Sequence, residues 1–140
     1  MATRLALVTG ANGGIGSEIY DRLRENGFEV RTMDAVEPCD VLADLAVDPT
    51  PDCAVADADV CVTVAGVIDA FAPAHLMSAE QWSRDIDVNL TGAFRVVQAC
   101  LPEIAGDTGV ESKADIARHT QRTVWPPRRS RECGRLSRPR

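Results

Sequence analysis

The stretch LALVTGANGGIGSEIYDRL, residues 5–23, constrains this 140-residue chain more than any other, because it turns from one periodicity to another through a knot of glycines. Residues 4–9 form a short apolar run, as in a strand buried on both faces of a parallel sheet. Ile15, Ile19 and Leu23 then recur every four residues, with acids and arginines between them. That spacing predicts an amphipathic helix ending near Gly27, a residue suited to a left-handed C-terminal cap. Residues 28–34, FEVRTMD, predict a second strand. Strand, glycine turn, helix and strand in so short a span have the size of a right-handed βαβ crossover.

The glycines divide the labour of such a turn. A tight turn needs tolerance of positive φ, backbone approach to a ligand needs no side chain, and helix–sheet packing needs a small residue; Gly10, Gly14 and Gly16 are placed for these jobs. The N–H groups of Gly14, Ile15 and Gly16, at the positive end of the helix, suit a pyrophosphate. Asp34 closes the second strand where an acid can bond the adenosine ribose hydroxyls. A carboxylate there also repels a 2′-phosphate, by about 4 kcal/mol at about 4 Å and an effective dielectric of about 20. No Arg or Lys in the turn or just after Asp34 offsets this, so the expected cofactor is NAD rather than NADP.

Further along, prolines and acids between Ala35 and Ala58 predict mostly loop, with CDVLADL able to form a short third strand. ADVCVTVAG, residues 58–66, predicts a central parallel strand. Ser78 and Gln81 form a capping-box start. Leu90, Ala93, Phe94, Val97 and Leu101 then mark a stripe expected to pack in the core, and Trp82 is expected to pack on its helix. After Ile104 the pattern collapses into a basic segment, with one weak helical stretch near residues 111–118. Its composition cannot offset the entropy of ordering, and it is expected to be disordered.

Charge separates the same two pieces. The chain carries −6 overall, but residues 118–140 hold eight of its fifteen basic residues and one of its twenty-one acids. The acidic body argues against a nucleic-acid or anionic-membrane surface. No run approaches the roughly 20 apolar residues of a membrane-spanning helix, and the first residues lack a signal peptide's apolar region. Five cysteines without a C-x-x-C pair suggest no zinc ribbon and fit a reducing, cytoplasmic setting. His75 and His119 have no partners at ligand spacing, so no metal site is expected.

Three segments carry a family resemblance. TGANGGIG, residues 9–16, resembles the T-G-x-x-x-G-x-G turn of the short-chain dehydrogenase/reductase family; TVAG, residues 63–66, resembles its N-N-A-G strand end; and DVNLTGAF, residues 87–94, is similar to its N-V-N-L-x-G segment. Thr63 and Val64 stand where the family has two asparagines. The resemblance implies an α/β fold: a partial, doubly wound parallel sheet of Rossmann type, ordered 3-2-1-4, over residues 1–104. It implies a nicotinamide dinucleotide held by Thr9, Gly10, Asn12, Gly13, Gly14, Ile15, Gly16, Asp34, Asp44, Ala65 and Gly66. Asp44 would hold the adenine, Ala65 and Gly66 would line the cofactor, and Asn89 would be the catalytic asparagine.

The family's hydride transfer between cofactor and an alcohol or ketone also uses a serine and a Y-x-x-x-K pair. Here the one tyrosine is Tyr20, in the first helix, and the one lysine is Lys113. Residues 105–140 are therefore expected to be an unrelated basic tail, produced by truncation or a reading-frame change, on a chain without turnover. Self-association is expected through the edge of strand 58–66 and the helix carrying Phe94 and Leu101. The alternative is a non-catalytic dinucleotide-binding or interaction protein whose arginine tail contacts anions.

Overall fold

All five residues of β1 (Leu5–Thr9) are buried, because the strand has neighbours on both sides and a covering layer on both faces. The structure, a computed structural model, describes residues 3–68 and 73–105. Within them β1 lies between β2 (Glu29–Asp34) and β4 (Val60–Thr63), with β3 (Val41–Leu42) outside β2. All three pairings are parallel, and the order is β3-β2-β1-β4, as the resemblance implies. Among the described residues β4 is an edge strand.

Because successive side chains of a strand alternate in direction, Leu7 and Val8 go to opposite cores. Val8 joins Ala11 and Val30 beneath α1 (Gly14–Glu25), where Ile19 and Leu23 cover them. Ile15 does not join this stripe: it is 70% exposed. The helix ends as expected, with Asn26 at its cap and Gly27 at φ +82°. Leu7 packs on the other face with Met33, Val41, Leu45, Val96 and Cys100.

Residues 35–58 are mostly loop, as expected, but contain one short helix, α2 (Asp52–Val55). Arg31 of β2 secures its end: Nη1 donates to the carbonyls of Ala54 (3.2 Å) and Ala56 (2.8 Å). Past a 3₁₀ turn at Ala74–Leu76, α3 (Ala79–Ile86) opens with the expected capping box. The Gln81 N–H donates to Ser78 Oγ at 3.2 Å, and the Ser78 N–H donates to Gln81 Oε1 at 2.9 Å. The helical path continues through a π segment, Asp87–Gly92, into α4 (Ala93–Ala105).

Here the structure corrects the expected stripe. Leu90, Phe94, Val97 and Leu101 are exposed, as is Trp82, whereas Val88, Gly92, Val96 and Cys100 are buried. The reason is close approach. A Cβ on Gly92 would lie 2.7 Å from Leu45 Cβ, so only small or slim side chains fit the inward face and the bulky ones turn outward. The expected tail, with Lys113, His119, Trp125 and Ser112, Ser130 and Ser137, lies outside the described residues.

Neighbouring valines on α4 give a direct check of this assignment. Val96 is fully buried and Val97 is 39% exposed. Truncating Val96 to alanine removes two buried methyl groups and leaves a cavity, an expected loss of about 2 kcal/mol. Val97→Ala is expected to cost under about 0.5 kcal/mol. Urea midpoints of the two variants decide; equal losses would contradict the outward-facing stripe.

Candidate functional site

At the C-terminal ends of the strands lies a cavity of about 450 Å³, the position where open α/β sheets hold ligands. Five chain segments meet there: the glycine turn, the end of β2, the loop after β3, the loop after β4 and the helical path at Arg84 and Val88. Their meeting depends on Gly10. Its φ is +66°, and a Cβ there would lie 2.6 Å from both the N and the Cα of Ala65. Its N–H donates to the Met33 carbonyl at 2.8 Å, so one residue joins the ends of β1, β2 and β4. Gly16 serves the helix: a Cβ would overlap the Gly10 carbonyl oxygen.

Thr9 completes the joint. It is buried, and its hydroxyl oxygen accepts from the N–H groups of Val64 and Ala65, both at 3.2 Å. This anchors the loop after β4, where the family has its two asparagines and this chain has Thr63 and Val64. Ala65 and Gly66 then present backbone to the cavity.

The turn leaves the start of α1 open. Gly13, its N-cap, supplies no side-chain bond and the first turn holds no acid, while a Cβ on Gly14 would meet nothing within 4 Å. Since the first N–H groups of a helix have no partner within it, those of Gly14, Ile15 and Gly16 are offered to whatever enters. Ile15 lines the cavity, which accounts for its exposure.

Asp34 stands beside the turn. Its carboxylate accepts from the N–H groups of Asn12 (2.9 Å) and Val36 (3.1 Å), and the Asn12 side-chain amide donates to the Val36 carbonyl at 2.6 Å. Asn12 thus clamps the turn to the end of β2 with its backbone and its side chain. Asp44 is half-enclosed. It accepts from the Ala46 N–H at 3.0 Å and faces the guanidinium of Arg84 at 3.7 Å. Arg84, which also lines the cavity, was not among the expected site residues. Its ion pair joins positions 40 apart in the chain, a relation no local pattern carries.

Asn89 sits in the π segment, a departure from α geometry often found at functional sites. Its amide makes two hydrogen bonds with the backbone of Val67: Oδ1 accepts from the N–H and Nδ2 donates to the carbonyl, both at 2.8 Å. Tyr20 is remote from this arrangement and packs on the core beneath α1.

A family model described as short chain dehydrogenase matches residues 52–112, the part of the chain that contains β4, the π segment and α4. The chain is similar to the N-terminal part of the short-chain dehydrogenase/reductase family. An uncharacterized oxidoreductase of Schizosaccharomyces pombe is 30% identical over 117 residues, covering 73% of this chain and 45% of that protein. Carveol dehydrogenase from Mycobacterium avium, in complex with NAD, shares the fold with a TM-score of 0.63 at 21% identity, over 74% of this chain and 50% of that one. An actinorhodin polyketide ketoreductase with NADPH superposes with a TM-score of 0.61 at 26% identity, over 74% and 48%. The chain spans less than half the length of the curated relatives it matches, 45%. Short-chain dehydrogenases bind nicotinamide cofactors, and the parallel sheet of this chain is the Rossmann-like sheet of its neighbours.

The joint at Thr9 is testable without a ligand. Thr9→Val keeps the shape but leaves the N–H groups of Val64 and Ala65 without their acceptor, an expected loss of about 1–3 kcal/mol. Ser17→Ala removes an exposed hydroxyl bond to Gly14 at 3.1 Å and is expected to cost under about 0.5 kcal/mol. Denaturant unfolding compares the two; a neutral Thr9→Val would mean that the loop after β4 is held by other contacts.

Proposed function

We propose that this short-chain dehydrogenase/reductase chain binds NAD in preference to NADP, and that these 140 residues bind the cofactor without turning over an alcohol or ketone. The observation that carries the preference is the Asp34 carboxylate, fixed at the end of β2 by the N–H groups of Asn12 and Val36. An acceptor held there suits the two hydroxyls of an adenosine ribose and repels a 2′-phosphate.

The residues present fit the dinucleotide. The cavity, the open space at Gly14 and the close backbone approach at Gly10 and Ala65 leave room for a bulky anion. The unpaired N–H groups at the start of α1 supply its counter-charge. In this reading Gly13, Gly14, Ile15 and Gly16 hold the pyrophosphate, Asp34 the adenosine ribose and Asp44, oriented by Arg84, the adenine. Ala65 and Gly66 line the remaining half, and Thr9, Gly10 and Asn12 fix the turn. Bound NAD supplies a hydride acceptor. Asn89 holds the backbone of Val67 through both ends of its amide and so positions the wall that follows β4, and a carboxamide is not a proton-transferring group at neutral pH. No serine or Y-x-x-x-K pair stands beside it among the described residues, so the proton step lacks a side chain worth roughly 10²–10⁴ in rate.

Calorimetry on the 140-residue chain tests this reading. NADH is expected to bind at least tenfold more tightly than NADPH, because like charges at an effective dielectric of about 20 oppose the phosphate even after salt screening. Asp34→Ala is expected to remove most of that ratio while leaving the melting temperature within a few degrees. NADPH bound as tightly as NADH by the unmodified chain would overturn the assignment of Asp34. Assays with NAD and secondary alcohols, or NADH and ketones, are expected to show no turnover. Saturable activity lost on Asn89→Ala would overturn the second half.

A further inference from the structure

Two thiols that the proposed nucleotide site does not use pack on one apolar cluster between β4 and α4. Cys61 lies on β4, opposite Leu7 of β1. It packs on the apolar cluster to which Cys100 of α4 belongs. Both are free. Cys100 is 1% exposed, whereas Cys61 is partly exposed on what is, among the described residues, the open edge of the sheet.

The pair is chemically unequal. The hydrogen bond from Cys100 pulls the Cys61 thiol below the ordinary cysteine value, against the opposing effect of burial. The same bond, then burial, pushes the Cys100 thiol far up. Cys61 is thus the more accessible sulfur and the one more readily deprotonated, the two properties that make a thiol reactive. Cys39, the third free thiol among the described residues, has neither a thiol neighbour nor that electrostatic help. Burial raises it, and the charges of Asp34, Glu37 and Asp40 add to the rise.

We propose that Cys61 and Cys100 are a peroxide-sensitive dithiol that closes to a disulfide between β4 and α4. In the first step the Cys61 thiolate attacks one oxygen of hydrogen peroxide. An S–O bond forms, the O–O bond breaks, and the hydroxide that leaves takes up the proton given up by Cys61 to become water. In the second step the Cys100 sulfur attacks the Cys61 sulfenic acid. The S–S bond forms, the S–O bond breaks, and the departing oxygen leaves as water with the Cys100 proton. Two thiols are oxidised by two electrons and one peroxide is reduced to two waters. The bond joins α4 to the strand whose continuation, Val64–Val67, lines the cavity.

The test is a disulfide map of the full chain after brief exposure to hydrogen peroxide and alkylation of remaining thiols, read by tandem mass spectrometry without reduction. The expected product is a Cys61–Cys100 linked peptide pair lacking two hydrogens, restored to two free thiols by dithiothreitol. It is expected to persist in Cys39→Ser and to vanish in Cys61→Ser and Cys100→Ser. In Cys100→Ser, dimedone is expected to label Cys61, because the sulfenic acid no longer has its resolving thiol. Recovery of Cys61 and Cys100 both alkylated after peroxide treatment, or linked to other cysteines in preference to each other, would overturn the proposal. The map of the unsubstituted chain decides even where a serine variant does not fold.

Discussion

The contact on which the rest of the structure depends is that between Gly10 and Ala65, where two strand ends approach closely enough that a Cβ would stand 2.6 Å from backbone atoms. A side chain at residue 10 would be unfavourable twice over, through its left-handed φ of +66° and through that overlap. Because the glycine is there, the Thr9 hydroxyl reaches the N–H groups of Val64 and Ala65 and the Gly10 N–H reaches the Met33 carbonyl. Three strand ends are thereby held at one level, and the cavity is the space left above them. Its shape is set by backbone, with few side chains to adjust it.

That is also why the first third of the chain was so legible. Strand, turn and first helix are local patterns: an apolar run, glycines at fixed offsets, a four-residue repeat, and each is written in adjacent residues. The capping box at Ser78 and the placement of Asp34 at the end of β2 were likewise anticipated from spacing, and the strand order 3-2-1-4 from the family resemblance. Even there one residue differed. Ile15 belongs to the repeat by spacing, but at the first turn of α1 its side of the helix faces the cavity instead of the core.

The reading of the second helical region failed for a different physical reason. Counting large apolar residues at helical spacing favours Leu90, Phe94, Val97 and Leu101, whereas the packed face is Val88, Gly92, Val96 and Cys100. A helix pressed close to a sheet and its loops buries its small residues, and Gly92 against Leu45 is the tightest point. The π segment adds to the difficulty. It places an extra residue in the turn that carries Asn89, so faces read by α-helical counting on one side of it do not carry through to the other. The Asp44–Arg84 pair and the two hydrogen bonds between Asn89 and Val67 were invisible for a simpler reason: both join distant residues, and only the fold brings them together.

Where Asn89 sits bears on how binding and chemistry are divided in this protein. Its amide donates and accepts on the backbone of Val67, so its work in this chain is to fix the wall that follows β4. The proposed nucleotide contacts are mostly N–H groups and two carboxylates, groups that orient a ligand and set its charge preference. In the proposed reading such a site would recognise a dinucleotide through geometry carried by residues 9–16, 34, 44 and 65–66, all of them within the described part of the chain. Proton transfer asks for a side chain with a tuned pKa, held by its own supporting contacts. The cradle of residues 9–16 and 65–66 is built of backbone, so in the proposed reading its binding contacts and the proton-transferring side chain are separable.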